Sequence, residues 1–258
     1  MNVVIITGAS SGIGMEFAFQ MDNYFDTIDE FWLVARSRER LEEVAKALKH
    51  KTRVLAMDIT DEKKLDDLED LLIENTATVR MLINAAGFGI MGPFSEQDRA
   101  TTLQMVRLNC EALTNVTHCC IPFMRKNSRI IQLASSAAFV PQPGFAVYAA
   151  SKSYVNSFSL ALRQELKSIG IQVTSVCPGP VDTPFFDRAE STGSIMGVKK
   201  YLMVKRELVV KKALRDACLK RPKSVYSYPI QAFEVLCKLV PHSILVPLIH
   251  AVKLCGKR

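Results

Sequence analysis

The sequence has few of the features that mark metal-binding, disulfide-rich or membrane-spanning proteins. Its four histidines, at positions 50, 118, 242 and 250, show no metal-ligand spacing, so we expect no metal. Its seven cysteines include no C-x-x-C pair, and we expect no signal peptide, because the first apolar run begins at residue 3 without an n-region or cleavage site. The apolar stretch 240–255 contains two prolines and is too short for a transmembrane helix. We therefore expect a cytoplasmic protein with reduced thiols.

Charge is unevenly distributed along the 258 residues, although the overall composition is that of an ordinary globular protein. Residues 199–258 hold 14 Lys and Arg against 3 Asp and Glu, whereas residues 1–198 hold 19 against 23. A basic C-terminal quarter favours contact with anionic lipid or nucleic acid, or it is a solvated helix face. The composition leaves these alternatives open.

Apolar runs alternate with amphipathic segments about six times before residue 180, with no repeat or linker between them. The predicted strands are 3–7, 31–35, 52–57, 80–84, 129–135 and 171–177, with 224–228 a candidate edge strand. The predicted helices are 13–24, 39–49, 61–75, 98–126 (with a break near Pro122), 148–168 and 205–219. This alternation predicts one α/β domain, a doubly wound parallel sheet covered by helices on both faces.

A glycine-rich turn, TGASSGIG at 7–14, directly follows the first strand and fits two motifs. Residues 8–12 match G-x-S-x-G, the nucleophile elbow of hydrolases. Alternatively, Gly8, Gly12 and Gly14 let a dinucleotide pyrophosphate approach the N-terminus of the next helix. The elbow requires several strands before the serine and a suitable histidine after it. The order strand, turn, helix at the start of the chain favours the dinucleotide site.

Five further motifs follow in a fixed order. They are NAAG at 84–87, Asn109, Ser135, YAASK at 148–152 and CPGPVDTP at 177–184. With the glycine turn, this order and spacing resemble the short-chain dehydrogenase/reductases, in their single-domain branch. The resemblance covers residues 1 to about 184. It implies a Rossmann fold and an oxidoreductase that interconverts a ketone and a secondary alcohol by hydride transfer.

The resemblance also implies a catalytic group. Tyr148 would give a proton to the developing alkoxide, and Lys152, one helical turn away, is expected to lower the tyrosine pKa from about 10. In the family the lysine also holds the nicotinamide ribose. Ser135 would fix the substrate oxygen, and its thirteen-residue interval to Tyr148 favours it over Ser136. Asn109 would hold a water that relays protons to the lysine.

The end of the second strand bears on the choice of cofactor. Folds that bind NAD usually carry an acid there, but this chain has Ala35 followed by Arg36. Arginine suits a 2′-phosphate, so we expect NADP(H), with Ser37 or Arg38 as candidate helpers. Ser11 departs from this pattern, because many NADP-preferring relatives have a basic residue before the second glycine.

Other cofactor contacts are carried over from the family by position. Asp58 matches the adenine contact, although it is equally suited to cap the following helix. Thr183 matches the residue that binds the nicotinamide carboxamide. The full predicted cofactor set is Gly8, Ser10, Ser11, Gly12, Ile13, Gly14, Arg36, Asp58, Ile59, Asn84, Ala85, Ala86, Gly87, Tyr148, Lys152, Pro178, Gly179, Val181 and Thr183.

The segment after the catalytic core favours a bulky apolar substrate. We expect 1–181 to form the core and 182–258 a substrate lid with C-terminal helices, all within one domain. Apolar lid residues between 182 and 204 suit a hydroxysteroid or bile acid, or equally a 3-oxoacyl chain, unless they simply pack on the core. A non-catalytic NADPH-binding regulator and an extended-branch epimerase are the competing functions, and the epimerase lacks room after residue 178.

We expect partners of two kinds and no nucleic acid. The family often forms homodimers or homotetramers through helices equivalent to 98–126 and 148–168. The basic apolar tail would either contact a membrane surface peripherally or cover the active site of a partner subunit.

Overall fold

A computed structural model describes residues 1–25, 27–185 and 203–255. In this part of the chain, seven parallel strands form one sheet in the order β3-β2-β1-β4-β5-β6-β7. The strands are β1 Asn2–Thr7, β2 Glu30–Ala35, β3 Thr52–Ala56, β4 Thr78–Asn84, β5 Met124–Leu133, β6 Gln172–Val176 and β7 Lys223–Ser224. The predicted doubly wound parallel sheet in a single domain is confirmed.

Helices cover both faces of the sheet. They are α1 Gly12–Tyr24, α2 Arg38–Lys46, α3 Glu62–Glu74, α4 Arg99–Val106, α5 Leu113–Cys120, α6 Ala146–Glu165, α7 Arg206–Cys218, α8 Tyr228–Leu239 and α9 His242–Cys255. A π-helical segment, Arg107–Ala112, joins α4 to α5. Short 3₁₀ turns span Phe94–Glu96, Ile121–Phe123 and Ser136–Phe139.

Burial on both faces explains why the central strands read as unbroken apolar runs. Val3 and Ile5 of β1 pack in one core beneath α3, α5 and α6, while Val4 and Ile6 pack in the other beneath α1 and α7. All four side chains are fully buried. The two-residue period of a strand thus places alternate residues in opposite cores.

The strand order changes direction at β1, which lies between β2 and β4. The chain winds outward from β1 to β3, then crosses back to β4 and winds the other way. Connections at this switch point separate from one another and leave a crevice at the carboxyl ends of the strands. The glycine turn after β1 and the NAAG segment after β4 both reach this crevice.

The predicted helix 98–126 is wrong at its C-terminal end, and the predicted strand after it is misplaced. Pro122 lies in a 3₁₀ turn, and β5 already begins at Met124, which pairs with Val79 of β4. Proline has no N–H for a helical bond, so the helix ends at the preceding turn. The strand then stops at Leu133, two residues earlier than predicted.

The C-terminal part ends in a short edge strand and two helices. The predicted edge strand at 224–228 is reduced to Lys223–Ser224, because α8 starts at Tyr228. Within the ranges that the structure describes, no helix is both long enough and apolar enough to cross a membrane. Most of the predicted lid, residues 186–202, lies outside the described residues.

Candidate active site

A cavity of about 600 Å³ lies at the carboxyl ends of the strands, over the switch point. It collects nearly all of the predicted site residues, although they come from distant parts of the chain. Those that line it are Gly8, Ser10, Ser11, Gly12, Ile13, Gly14, Arg36, Asp58, Ile59, Ala85, Ala86, Gly87, Ser135, Tyr148, Lys152, Pro178, Gly179, Val181 and Thr183. Asn84 and Asn109 are the two predicted residues outside this lining.

The glycine turn is shaped by close backbone contacts. Gly8 has a φ of +68°, and a Cβ there would lie 2.8 Å from the Cα atom of Ala86. A Cβ on Gly14 would overlap the carbonyl oxygen of Gly8. The side chain of Ser11, the N-cap of α1, makes no capping bond to the first turn. Gly12, Ile13 and Gly14 of this first turn line the cavity, and their N–H groups are not capped by Ser11, as a phosphate site requires.

Arginines line the cavity at the end of β2. Arg36 is exposed there, and Arg40 of α2 lines the same part of the cavity. Ser37 also lines it, but its hydroxyl caps α2 by accepting the N–H of Arg40 at 3.5 Å. Arg38 does not line the cavity and instead pairs with Glu42 at 3.8 Å. Of the two predicted helpers, Ser37 thus lines the cavity and Arg38 does not, and Arg40, which sequence reasoning missed, lines it as well.

Asp58 lines the cavity but does not cap the next helix. Its Oδ1 accepts the backbone N–H of Thr60 at 3.0 Å and the hydroxyl of the same residue at 2.8 Å. The cap of α3 is Asp61, which accepts the N–H of Lys63 at 3.0 Å. The capping alternative for Asp58 is wrong, and its adenine contact stays a prediction.

The Asn84 side chain points away from the cavity, and the predicted cofactor contact of this residue stays a prediction. Asn84 is buried, and its Nδ2 donates to the Thr117 hydroxyl at 3.0 Å. Its Oδ1 accepts from the Thr7 hydroxyl at 3.4 Å, and the same hydroxyl accepts the N–H of Ala86 at 3.3 Å. A side chain at this register points into the sheet–helix interface. Asn84 therefore supports the NAAG backbone from beneath the cavity.

Asn109 lies just behind the cavity wall, in the π-helical segment. Its Nδ2 donates to the Phe88 carbonyl at 2.9 Å and to the Ser151 hydroxyl at 3.0 Å, and its Oδ1 accepts the Phe88 N–H at 3.1 Å. A Cβ on Gly87 would lie 2.9 Å from Asn109 Oδ1 and 3.3 Å from Lys152 Nζ. Asn109 and Lys152 therefore lie on either side of the same glycine, close to one another. The water relay between them stays a prediction.

Ser135, Tyr148 and Lys152 meet at the base of the cavity. Tyr148 is 7% exposed and Lys152 is 4% exposed. Ser135 forms a hydrogen bond with Tyr148, whereas Ser136 lines the cavity without one. Lys152 Nζ donates to the Leu133 carbonyl at 2.8 Å and lies 5.7 Å from the centre of the Tyr148 ring. The geometry thus favours Ser135 over Ser136 as the partner of the tyrosine.

Burial sets the proton affinities of this group. It raises the pKa of Tyr148 to about 12, against the opposing effect of the Ser135 hydrogen bond. Burial also lowers the pKa of Lys152 to about 8. The expected lowering of the tyrosine pKa by Lys152 stays a prediction, since burial dominates the pKa of Tyr148 and the opposing effect comes from the Ser135 hydroxyl. At neutral pH, Tyr148 is a phenol and Lys152 is mostly an ammonium.

Two aromatic rings contact the ring of Tyr148. Phe145 stacks on it at 4.2 Å between ring centres, and Phe185 tilts against it at 5.4 Å. Gly89 leaves room for the three rings, since a Cβ there would lie 2.7 Å from Tyr148 Cδ2. This end of the cavity is therefore an apolar compartment beside a proton donor.

Sequence reasoning missed most of the walls of this compartment. The missed lining residues are Phe88, Gln104, Leu108, Gln142, Phe145, Pro229, Ile230 and Phe233. Three of them belong to α8, far from the motifs in sequence. The only available signal was the apolar spacing of α8, which does not say what the helix covers.

The chain matches known proteins over most of its length. The family model for short chain dehydrogenase matches residues 2–193. An uncharacterized oxidoreductase of Staphylococcus epidermidis is 31% identical over 202 residues, which cover 78% of this chain and 84% of that protein. Sulfoacetaldehyde reductase 2 of Chromohalobacter salexigens is 36% identical over 190 residues, covering 71% and 74%. Serine 3-dehydrogenase of Agrobacterium fabrum is 34% identical over 187 residues, covering 70% and 73%.

Solved structures share the fold. A short-chain dehydrogenase from Sphingobium yanoikuyae in complex with NADPH has a TM-score of 0.76 at 25% identity, covering 93% of this chain and 97% of that one. A short-chain dehydrogenase/reductase from Burkholderia phymatum in complex with NAD has a TM-score of 0.79 at 21% identity, covering 91% and 92%. The family match and the relatives confirm the resemblance: the chain belongs to the short-chain dehydrogenase/reductase family of oxidoreductases.

Proposed function

We propose that this protein is an NADP(H)-dependent reductase that interconverts a bulky apolar ketone and its secondary alcohol. The observation that carries the proposal is one continuous cavity. It has an anion-binding turn and two arginines at one end, and Tyr148, Ser135 and Lys152 beside an apolar compartment at the other. A non-catalytic regulator would need none of the buried polar groups at the second end.

The cofactor fits the cavity as follows. The pyrophosphate would lie at the N-terminus of α1, where the N–H groups of the first turn are free of side-chain acceptors. Arg36 and Arg40 would hold the 2′-phosphate, and Asp58 would contact the adenine. Ala85–Gly87 would pass behind the nucleotide, and Thr183 would bind the carboxamide. When bound, NADPH supplies the hydride.

The chain's own groups would manage the proton. With its pKa raised to about 12, Tyr148 keeps its hydroxyl proton across the physiological range and can donate it to the substrate oxygen. Ser135 would bind the same oxygen and fix its distance from the phenol. The Lys152 ammonium would stabilise the tyrosinate left behind and hold the ribose, with Asn109 supporting a water path to it.

The substrate proposal follows from the walls of the compartment. Phenylalanines, leucine, isoleucine and proline dominate them, and the polar side chains beside the Ser135, Tyr148 and Lys152 group are the uncharged Gln104, Gln142 and Ser136. Among the described lining residues, the cations are Arg36, Arg40 and Lys152, all assigned to the cofactor. This favours an uncharged apolar ketone, such as a hydroxysteroid or bile-acid skeleton, over the small anionic substrate that the name of sulfoacetaldehyde reductase indicates for that relative. The 3-oxoacyl chain is the second candidate, because the same walls suit an acyl chain.

The test is NADPH oxidation and NADP⁺ reduction with steroids, bile acids, 3-oxoacyl thioesters and small aldehydes. We expect turnover of one bulky apolar class, lost in Tyr148→Phe while NADPH still binds. Turnover confined to small polar carbonyls would contradict the substrate proposal. Turnover that survives in Tyr148→Phe would contradict the mechanism.

Assembly and location are part of the same proposal. Leu103 and Val106 of α4 are 47% and 41% exposed, and Tyr154 of α6 is 43% exposed. These apolar side chains support a homodimer or homotetramer through α4, α5 and α6. Sedimentation-velocity measurements would give the oligomeric state, and cell fractionation would test the proposed cytoplasmic location. We also propose that 182–258 contributes the substrate lid.

A further inference from the structure

Helix α8 exposes an apolar stripe. Tyr228, Val235 and Leu239 are 86%, 54% and 77% exposed, and Ala232 is exposed between them. Their spacing of four, three and four residues places them on one side of the helix. Uncharged side chains therefore occupy the position where a helix on a protein surface normally carries charge.

Helix α9 repeats the pattern. Ile244 and Leu248 are 52% and 56% exposed, and Ala251 follows on the same side. The inner residues of both helices, Cys237 and Leu245, pack in one cluster with Val140, so both stripes point away from that cluster. We call the seven outer residues the C-terminal apolar face: Tyr228, Ala232, Val235, Leu239, Ile244, Leu248 and Ala251.

The charge of the C-terminal sequence indicates which kind of partner this face would bind. From Val225 to the C-terminus the sequence holds four Lys and Arg and one acid, Glu234, and the structure describes the side chain of one of these four, Lys238. That acid is held by Lys223 at 2.8 Å and Lys238 at 3.1 Å. Two copies of a C-terminal segment with this net positive charge would repel each other, whereas an anionic lipid surface would attract it.

The opposite side of α8 reaches the candidate active site. Pro229, Ile230 and Phe233 line the cavity and lie within five residues of Tyr228, which belongs to the outer side. One short helix therefore separates the exposed apolar face from the apolar compartment. A hydrophobic ketone is concentrated in the bilayer, so this arrangement would bring the compartment to its source.

We propose that the C-terminal apolar face docks the protein on the surface of an anionic bilayer, with α8 and α9 lying in the interface. The basic residues contact the lipid headgroups and the seven apolar side chains insert beneath them. Substrate then reaches the compartment beside α8. Only this last step rests on the proposed function, since docking needs no turnover.

Docking is tested by sedimenting the full-length protein with vesicles of equal parts phosphatidylcholine and phosphatidylglycerol, and with pure phosphatidylcholine vesicles. We expect binding to the anionic vesicles, weakened by salt. The double variant Val235→Glu/Leu239→Glu should reduce the partition coefficient by about tenfold or more, because two inserted apolar groups become anions. The matched control is Ile73→Glu/Ile169→Glu, which changes two side chains that are 59% and 55% exposed elsewhere.

Three results would overturn the proposal. One is no binding to anionic vesicles. Another is equal binding by the wild type and the Val235→Glu/Leu239→Glu variant, or an equal loss in the control. The third is a change of oligomeric state in that variant, measured by sedimentation velocity, which would make the face an interface between copies. NADPH binding by each variant shows that it is folded, and turnover of the ketone panel tests the proposed function separately.

Discussion

Replacing Gly89 by alanine should slow catalysis by displacing the ring of Tyr148. The new Cβ would lie 2.7 Å from Tyr148 Cδ2, 2.9 Å from Phe185 Cζ and 3.0 Å from Phe145 Cε2, where ordinary contact begins at 3.4 Å. The tyrosine ring must therefore shift by about 0.7 Å, and Phe145 stacked against it restricts the direction of that shift. Misplacement by about 1 Å can reduce a rate about a hundredfold, so we expect kcat to fall by about ten- to a hundredfold.

The assay is steady-state kinetics with the best ketone of the panel, together with NADPH binding by fluorescence. Overpacking should also lower the free energy of unfolding by about 1–3 kcal/mol. Gly144→Ala is the control, since its Cβ meets only the Gly92 carbonyl oxygen at 3.8 Å while its φ of +71° strains the backbone. The reasoning is refuted if Gly89→Ala keeps the wild-type kcat, or if the control loses as much kcat as Gly89→Ala does.

Three further predictions concern the cofactor, pH and stability. Arg36→Leu should raise the Kd for NADPH by about ten- to a hundredfold and leave NADH unchanged; an equal effect on both would contradict its 2′-phosphate role. Because the pKa of Lys152 is about 8, its charge is lost as the pH rises through that value. We therefore expect kcat/KM for NADPH to fall above about pH 8 in the wild type, but not in Lys152→Arg. Glu30→Leu should lower the free energy of unfolding, measured in urea, by about 3 kcal/mol. It removes the acceptor 2.8 Å from Trp32 Nε1 and the partner of Arg53. Glu30→Gln should lower the free energy of unfolding by less.

Local patterns in the sequence were enough to predict the parallel sheet and the residues at the floor of the cavity. The apolar run 3–6 and the glycine turn after it report backbone conformation, which neighbouring residues determine. The direction in which a side chain points is harder to predict from the sequence. Asn84 belongs to a motif at the cavity, yet its strand register turns the amide toward Thr117. No local pattern records that register.

Other parts of the site depend on long-range packing. Pro122 predicted a break in the helix, but the residues around it did not indicate that a strand begins two residues later. The high pKa of Tyr148 results from burial by Phe145 and other rings, which spacing to Lys152 cannot reveal. The wall formed by α8 lies about eighty residues beyond Tyr148 in the sequence, so only the folded chain brings them together.

The position of α8 in the chain separates two properties of the enzyme. The family match ends at residue 193, whereas Pro229, Ile230 and Phe233 on the cavity wall come later. Under the proposed function, the groups for hydride transfer would lie in the matched part of the chain, and part of the substrate compartment would lie outside it. The terminal helices could then diverge, or be exchanged between relatives, without disturbing Tyr148. A chimaera that carries a relative's segment in place of 228–239 should keep its cofactor preference and acquire a new range of ketones.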